Sequence, residues 1–247
     1  MPKQRADQLL VTRGLVPSRE RAQALILAGK IFSGERRVEK AGDKLHEDVP
    51  LEVRGEDLKY VSRGGLKLEG AIDDFGYDPA GRVAADFGAS TGGFTDCLLQ
   101  RGAIRVYAID VGNGQLHQRL RVDERVVVME RTNARTLTAA DLGEPVDLVV
   151  IDASFIGLDK LLPAAFAVLR DGGEAIAMVK PQFEVGPDRV GAGGVVRDPV
   201  AREDAITSVI ANATSVGFQC LARTDAKIRG PKGNHEAFVR LLKVART

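Results

Sequence analysis

Along the chain the spacing of apolar positions changes character, and the change predicts a small leading module followed by an alternating α/β domain. Near the start, Leu9 and Leu10 sit inside an otherwise polar stretch, which predicts a short helix over residues 5–13 ending at Gly14. Ser18 is placed as an N-cap, and Ala22, Leu25 and Ile26 then recur at helical spacing up to Gly29. From Ile31 onward the pattern reads as short strands, with turns at Ser33-Gly34 and Ala41-Gly42-Asp43. Beyond Tyr60, apolar runs of strand length alternate with helical stretches, as an open parallel sheet requires. Strands are predicted at 83–86, 106–110, 126–130, 148–152, 175–180 and near 219–224. Helices are predicted at 158–169 and 206–216, with a last strand or helix at 237–243.

Composition narrows the picture. The 247 residues are 44% hydrophobic and 28% charged, which describes a globular protein with room for a catalytic domain and a small appended module. Net charge is only +1, so affinity for nucleic acid has to come from local clustering. Residues 1–44 supply it: ten basic side chains against five acidic ones leave +5, and the balance reverses over 45–60. This asymmetry puts a module at 1–54, a linker at 55–61 and the second domain at 62–247. Cys97 and Cys220 are too few for a disulfide framework and have no metal-ligand spacing; three scattered histidines add none. Reduced thiols, no metal and a cytoplasmic setting are expected. The first residues lack a signal-peptide core, and the longest apolar stretch, 161–169, is broken by Pro163, so no membrane partner is expected.

Chemistry enters at the strand ends. Asp86-Phe87-Gly88-Ala89-Ser90-Thr91-Gly92-Gly93-Phe94-Thr95 ends one predicted strand and opens a helix, where small residues let a ligand approach backbone N–H groups. Ser90 stands where a dinucleotide fingerprint needs its second glycine, and the acidic Asp86 suits a cationic ligand better than a pyrophosphate. S-adenosylmethionine, with its ammonium and sulfonium, fits that description. Asp110 would take the ribose hydroxyls, and Asn133 would lie near the adenine edge. Lys67, after an expected turn at Ser62-Arg63-Gly64-Gly65, stands out with Asp152, Lys180 and Glu236 as a second set. Charges closing apolar strands are costly unless paired. One reading makes them structural ion pairs, Lys67 with Asp152 and Lys180 with Glu236. The other makes them catalytic: a lysine ammonium stabilises the alkoxide forming on a ribose 2'-hydroxyl, or a lysine amine takes its proton, while the carboxylates orient the lysines.

Two resemblances sharpen this. Arg5-x-Asp7-x-x-Leu10, Gly14-Leu15, Ser18-Arg19-x-x-Ala22, Ile26 and Gly29-Lys30-Ile31 resemble the RNA-binding module named after small-subunit ribosomal protein S-four. That makes Arg5, Arg19, Arg21, Lys30, Arg36 and Arg37 candidate RNA contacts. Ser62-Arg63-Gly64-Gly65-x-Lys67-Leu68, the glycine-rich loop, Asp152-Ala153-Ser154-Phe155-Ile156, Val179-Lys180-Pro181-Gln182-Phe183-Glu184 and Gly230-Pro231-x-Gly233-Asn234-x-Glu236 together resemble the TlyA family of ribosomal RNA 2'-O-methyltransferases, relatives of the FtsJ-like enzymes. The resemblance implies a Rossmann-like S-adenosylmethionine-dependent methyltransferase domain behind a small α+β RNA-binding domain. It also implies the tetrad Lys67, Asp152, Lys180 and Glu236, S-adenosyl-L-methionine as cofactor, and cytidine ribose in ribosomal RNA or ribosomal subunits as target. Residues 186–198, rich in glycine and carrying Arg189 and Arg197, are read as a lid or a plain surface loop. A haemolytic protein, a catalytically silent RNA-binding factor and a nicotinamide enzyme are the rival readings.

Overall fold

The computed structural model describes residues 3–54, 59–230 and 232–245, and the chain divides into two compact units, Met1–Asp57 and Leu58–Thr247. Residues 55–58 of the expected linker lie outside the described residues.

In the first unit, β1 (Lys3–Arg5), α1 (Ala6–Thr12), α2 (Arg19–Leu27), β2 (Ile31–Ser33), β3 (Arg36–Arg37), β4 (Lys44–His46) and β5 (Glu52–Val53) follow in order. Strand β1 pairs with β4, and β2 lies between β3 and β5. The apolar side chains picked out by helical spacing make the core: Leu10, Ala22, Leu25 and Ile26 pack with Ala6, Val16, Ile31 and Val38. Ser18 caps α2, its hydroxyl accepting from Arg21 N–H at 3.2 Å. Gly14 follows α1 in the left-handed region (φ +67), which lets the chain turn back without a Cβ clash.

The second unit contains α3 (Arg63–Phe75), β6 (Val83–Phe87), α4 (Gly93–Gln100), β7 (Arg105–Ile109), α5 (Gln118–Arg121), β8 (Val126–Met129), α6 (Ala139–Leu142), β9 (Val146–Ile151), α7 (Leu162–Val168), β10 (Leu169–Val179), α8 (Pro181–Glu184), α9 (Pro199–Val216), β11 (Phe218–Asp225) and β12 (Ala237–Lys243). The strands form one sheet in the order β11-β12-β10-β9-β6-β7-β8. Strands β6 to β10 run parallel, and β12 lies antiparallel between β10 and β11. Leu148, Val149, Val150 and Ile151 are fully buried, because helices cover both faces of the sheet; a strand so placed is apolar at consecutive positions. Chain order reverses at β6, which has β7 on one side and β9 on the other. Ligands bind beyond the carboxyl ends of the strands at such a switch point.

Three expectations change. Ser62-Arg63-Gly64-Gly65 is not a turn but the cap and first turn of α3, with the Ser62 hydroxyl accepting from Gly64 N–H at 3.3 Å. Glycine is needed there for close packing. A Cβ on Gly65 would run into the Tyr60 ring, and one on Gly93 would meet the Ser62 hydroxyl and lie 2.9 Å from Gly65 N. Helix α9 begins at Pro199, well before residue 206, because Asp198 caps it by accepting from Val200 N–H at 2.9 Å and proline suits the first turn. The stretch 158–169 is a 3-10 turn (Leu158–Lys160) followed by α7, with Pro163 in the first helical turn.

Candidate active site

The sheet places its functional residues at its carboxyl rim. Asp152 follows β9 directly, Lys180 follows β10, Glu236 precedes β12, and Lys67 lies one turn into α3. All four line one cavity of about 620 Å³. The ion pairs run opposite to the sequence expectation: Lys67 bonds Glu236, and Lys180 Nζ lies 2.5 Å from Asp152 Oδ1. Strand order alone does not decide this, because β9 and β12 both flank β10 and so bring Asp152 and Glu236 alike to the strand that Lys180 closes; Lys67, carried in by α3, takes Glu236, and Lys180 keeps Asp152. Lys67 and Glu236 are nearly inaccessible, with side chains 9% and 2% exposed. Lys180 also donates to the Ser154 hydroxyl at 2.9 Å, a partner that spacing alone did not suggest.

Beside them lies the glycine-rich loop. Asp86 Oδ2 accepts from Thr95 N–H at 2.9 Å and from the Thr95 hydroxyl at 2.7 Å, which ties β6 to α4. The other oxygen, Oδ1, is buried and has no hydrogen-bond partner, and Asp86 lines the cavity. Burial pushes the Asp86 carboxyl up to about 7; the Thr95 bonds oppose this, and Asp152 and Asp110 add repulsion. A buried carboxylate oxygen without a donor, on a residue that lines a cavity, fits a ligand ammonium. Gly88 (φ +87) lets the loop pass so close to the next strand end that a Cβ would lie 2.8 Å from the Asp152 carbonyl oxygen. Gln182 Oε1 is a second buried acceptor without a partner, and Gln182 also lines the cavity.

Of the predicted cofactor residues, Asp86, Gly88, Ala89, Ser90, Thr91, Gly93 and Phe94 line this cavity. Gly92 instead caps α4 at φ +96, with a Cβ excluded by Leu120. Asp110 and Asn133 are not part of the cavity wall. Asp110 takes Ser90 N–H (2.8 Å) on one oxygen and Gly112 N–H (2.7 Å) on the other, and Asn133 caps a short 3-10 turn through Arg135 N–H at 3.1 Å. Each Asp110 oxygen keeps a further lone pair.

The segment 186–198 is tied down. Val190 and Gly194 line the cavity, and the buried Asn234 amide donates to Gly194 O at 2.8 Å and accepts from Val196 N–H at 2.9 Å. Arg189 pairs with Asp204 at 2.7 Å. Asn234 was visible in the sequence only as part of a motif.

The six candidate RNA contacts lie in the first unit. Arg5 and Arg19 converge on Asp7, which is fully buried; Arg5 Nε is 3.0 Å and Arg19 Nη2 3.1 Å from its carboxylate, and Gln23 donates at 2.9 Å. The Arg5 guanidinium, helped by Gln23 and Arg19, holds the Asp7 carboxyl well below the usual range against the opposing effect of burial. Both arginines remain about half exposed, held in place but open to solvent. Arg36 and Arg37 are exposed on β3, and Arg21 and Lys30 lie at the start of α2 and just beyond its end.

Known proteins share this arrangement. Residues 60–243 match the model of the FtsJ-like methyltransferases, and residues 4–49 match the S4 domain. The chain is 45% identical to the 16S/23S rRNA (cytidine-2'-O)-methyltransferase TlyA of Mycobacterium tuberculosis, covering 95% of this chain and 88% of that one. It is 40% identical to a Brachyspira hyodysenteriae protein named Hemolysin A, covering 94% of this chain and 97% of that one. A solved Streptococcus thermophilus structure, also titled as a hemolysin, superposes with a TM-score of 0.76 at 42% identity, covering 99% of this chain and 90% of that one.

Proposed function

Since this chain belongs to the FtsJ-like methyltransferase family and carries an S4 domain, we propose that it methylates the ribose 2'-hydroxyl of cytidine in ribosomal RNA, with S-adenosylmethionine as donor. The observation that carries the proposal is the convergence of two lysines, two carboxylates and the unpartnered Asp86 oxygen on one cavity. S-adenosylmethionine supplies an electrophilic methyl group there.

The protein's own residues supply the rest. Asp86 Oδ1 would accept from the donor's ammonium, the glycine-rich loop would bound its methionine end, and Asp110 and Asn133 would serve its adenosine. Lys180, fixed by Asp152 and Ser154, meets the 2'-hydroxyl and stabilises negative charge as it grows on oxygen. Lys67, fixed by Glu236, adds positive potential from the opposite wall. Transfer would exchange the donor's sulfur–methyl bond for the new carbon–oxygen bond and leave S-adenosylhomocysteine, while the hydroxyl proton passes to a base, for which a lysine in its amine form has suitable reach. The remaining requirement is alignment, which prearranged side chains provide.

Residues 1–54 serve as the RNA-docking module and 62–247 as the catalytic domain; of the linker expected at 55–61, Tyr60 and Val61 pack with the catalytic core, and the two compact units and the two matched families support a division in two. Arg5, Arg19, Arg21, Lys30, Arg36 and Arg37 contact RNA phosphates. Ribosomal subunits as substrate imply a cytoplasmic enzyme. No helix among the described residues is long and apolar enough to cross a membrane.

Ribosomal subunits from cells lacking the gene test the proposal. Incubation with the protein and a labelled methyl donor is expected to yield 2'-O-methylcytidine. Lys180→Ala is expected to abolish the product while leaving S-adenosylhomocysteine affinity within about twofold of wild type. A methyl group found on a base, or full activity of the variant, refutes it.

A further inference from the structure

Two short segments rise from the carboxyl ends of β9 and β10 and face the cavity. The first carries Ser154 and Phe155, the second Gln182 and Phe183. The first should not hold its shape unaided. Phe155 sits in the left-handed region (φ +66) with 92% of its surface exposed, a conformation that bulky residues adopt only when their surroundings impose it.

Three contacts restrain it. Lys180 reaches the Ser154 hydroxyl, and the Phe155 and Phe183 rings meet at 5.4 Å. The third contact comes from behind the cavity wall: Glu184 Oε1, at the end of α8, accepts from Leu158 N–H at 2.9 Å. Glu184 does not line the cavity, so its effect on chemistry runs through that hydrogen bond. A Cβ on Gly157 would lie 2.7 Å from Asp159 Oδ1, the end of a partly exposed side chain that can turn aside, and at ordinary contact, 3.5 Å, from Glu184 Oε2. Burial pushes the Glu184 carboxyl up to about 7; the Leu158 N–H opposes this, and the neighbouring Asp159, itself paired with Lys160 at 2.7 Å, adds repulsion.

We propose that Glu184 is a positioning residue for methyl transfer: by holding Leu158 N–H it sets the Ser154–Phe155 segment, and through Ser154 the place of the Lys180 ammonium. This rests on the role given to Lys180 above.

The test compares Glu184→Ala, Glu184→Gln and Gly157→Ala on ribosomal subunits, with Lys180→Ala alongside. Gly157 has an ordinary φ of −74°, so the added methyl acts by crowding this turn and not by backbone strain. Glu184→Ala is expected to lower kcat/KM for RNA about 10- to 100-fold, the scale of a small misplacement of a reacting group, and Gly157→Ala by less, since its methyl displaces only the Asp159 carboxylate. S-adenosylhomocysteine affinity is expected to stay within about twofold. Glu184→Gln, which keeps an acceptor for Leu158 N–H, is expected to restore activity to within about threefold of wild type. The proposal is overturned if Glu184→Gln is as impaired as Glu184→Ala, if cofactor affinity falls in parallel with activity, or if both Glu184→Ala and Gly157→Ala are fully active. Should Glu184→Ala fail to fold, Gly157→Ala and Glu184→Gln decide by the same criteria. An active Lys180→Ala would overturn the underlying reading instead.

Discussion

If Asp86 holds the donor's ammonium as proposed, cofactor binding is pH-dependent, with a sign and size that follow from the surroundings of Asp86. Its buried carboxyl titrates at about 7, against an ordinary 3.8. A ligand ammonium beside Oδ1 favours the ionised form, so binding below pH 7 must expel a proton and becomes weaker as pH falls. The ligand's own α-amino group, with a pKa of about 7.7–8.0, loses its charge at higher pH and bounds the effect there. Combining the two fractions, S-adenosylhomocysteine is expected to bind about 15-fold more weakly at pH 5.5 than at pH 7, roughly 1.6 kcal/mol. Calorimetry in two buffers of different ionisation enthalpy measures both the affinity and the proton released, expected to approach one per ligand at pH 5.5. Asp86→Asn retains an acceptor for Thr95 but has no charge to gain, so its affinity should be weak and flat over the same range. The sign for stability is the reverse of the usual carboxylate. The folded state holds this proton up to about pH 7 while the unfolded chain releases it near 3.8, so rising pH across that window removes stability, about 4 kcal/mol at most from this group. Asp86→Asn should therefore unfold at a higher temperature than wild type at pH 7.5 without ligand. Equal affinity of the wild type at both pH values, or an equal slope in Asp86→Asn, refutes the reasoning.

Other perturbations act elsewhere. Glu236→Ala strands the Lys67 ammonium in a site where its side chain is 9% exposed, and should lower stability by about 3–5 kcal/mol in urea unfolding. Gly88→Ala forces a methyl to within 2.8 Å of the Asp152 carbonyl oxygen at φ +87; more than about 2 kcal/mol of stability should be lost, together with methyl transfer, as read by denaturation and a labelled-methyl assay. Arg19→Ala removes a half-exposed cation from the first unit while Arg5 and Gln23 still hold Asp7, so RNA affinity should fall and the slope of log K against log salt should shrink by about 1.

Much of this protein was readable without coordinates. Buried parallel strands have to be apolar at consecutive positions, so β6, β7, β9 and the second half of β10 announce themselves as short apolar runs, whereas the polar first half of β10, Arg170 to Glu174, was not legible as strand. A charge placed straight after such a run, as at Asp152 and Lys180, lands on the rim of the sheet whatever the loops do. The Ser18 cap and the Gly14 stop are equally local, since each satisfies backbone groups within a few residues.

Partner choice was not local. Strand order brings Asp152 and Glu236 to either side of Lys180, and which lysine meets which carboxylate is settled only where α3 carries Lys67 against Glu236. The glycines at 64 and 65 looked like a turn because close helix packing and tight turns demand the same residue; Tyr60 and Ser62 decide between them, and they act through space. The same holds for Glu184, Asn234 and Ser154. Their importance lies in a backbone N–H, a carbonyl or an ammonium contributed by a segment 26 to 40 residues away, and no pattern in the intervening chain encodes that meeting. Sequence by itself determined the elements, the two units and the kind of chemistry at the rim, because periodicity and capping are short-range. Tertiary structure alone decided the pairing of charges and the unpartnered Asp86 oxygen, because electrostatics and desolvation depend on distances that only the closed sheet sets.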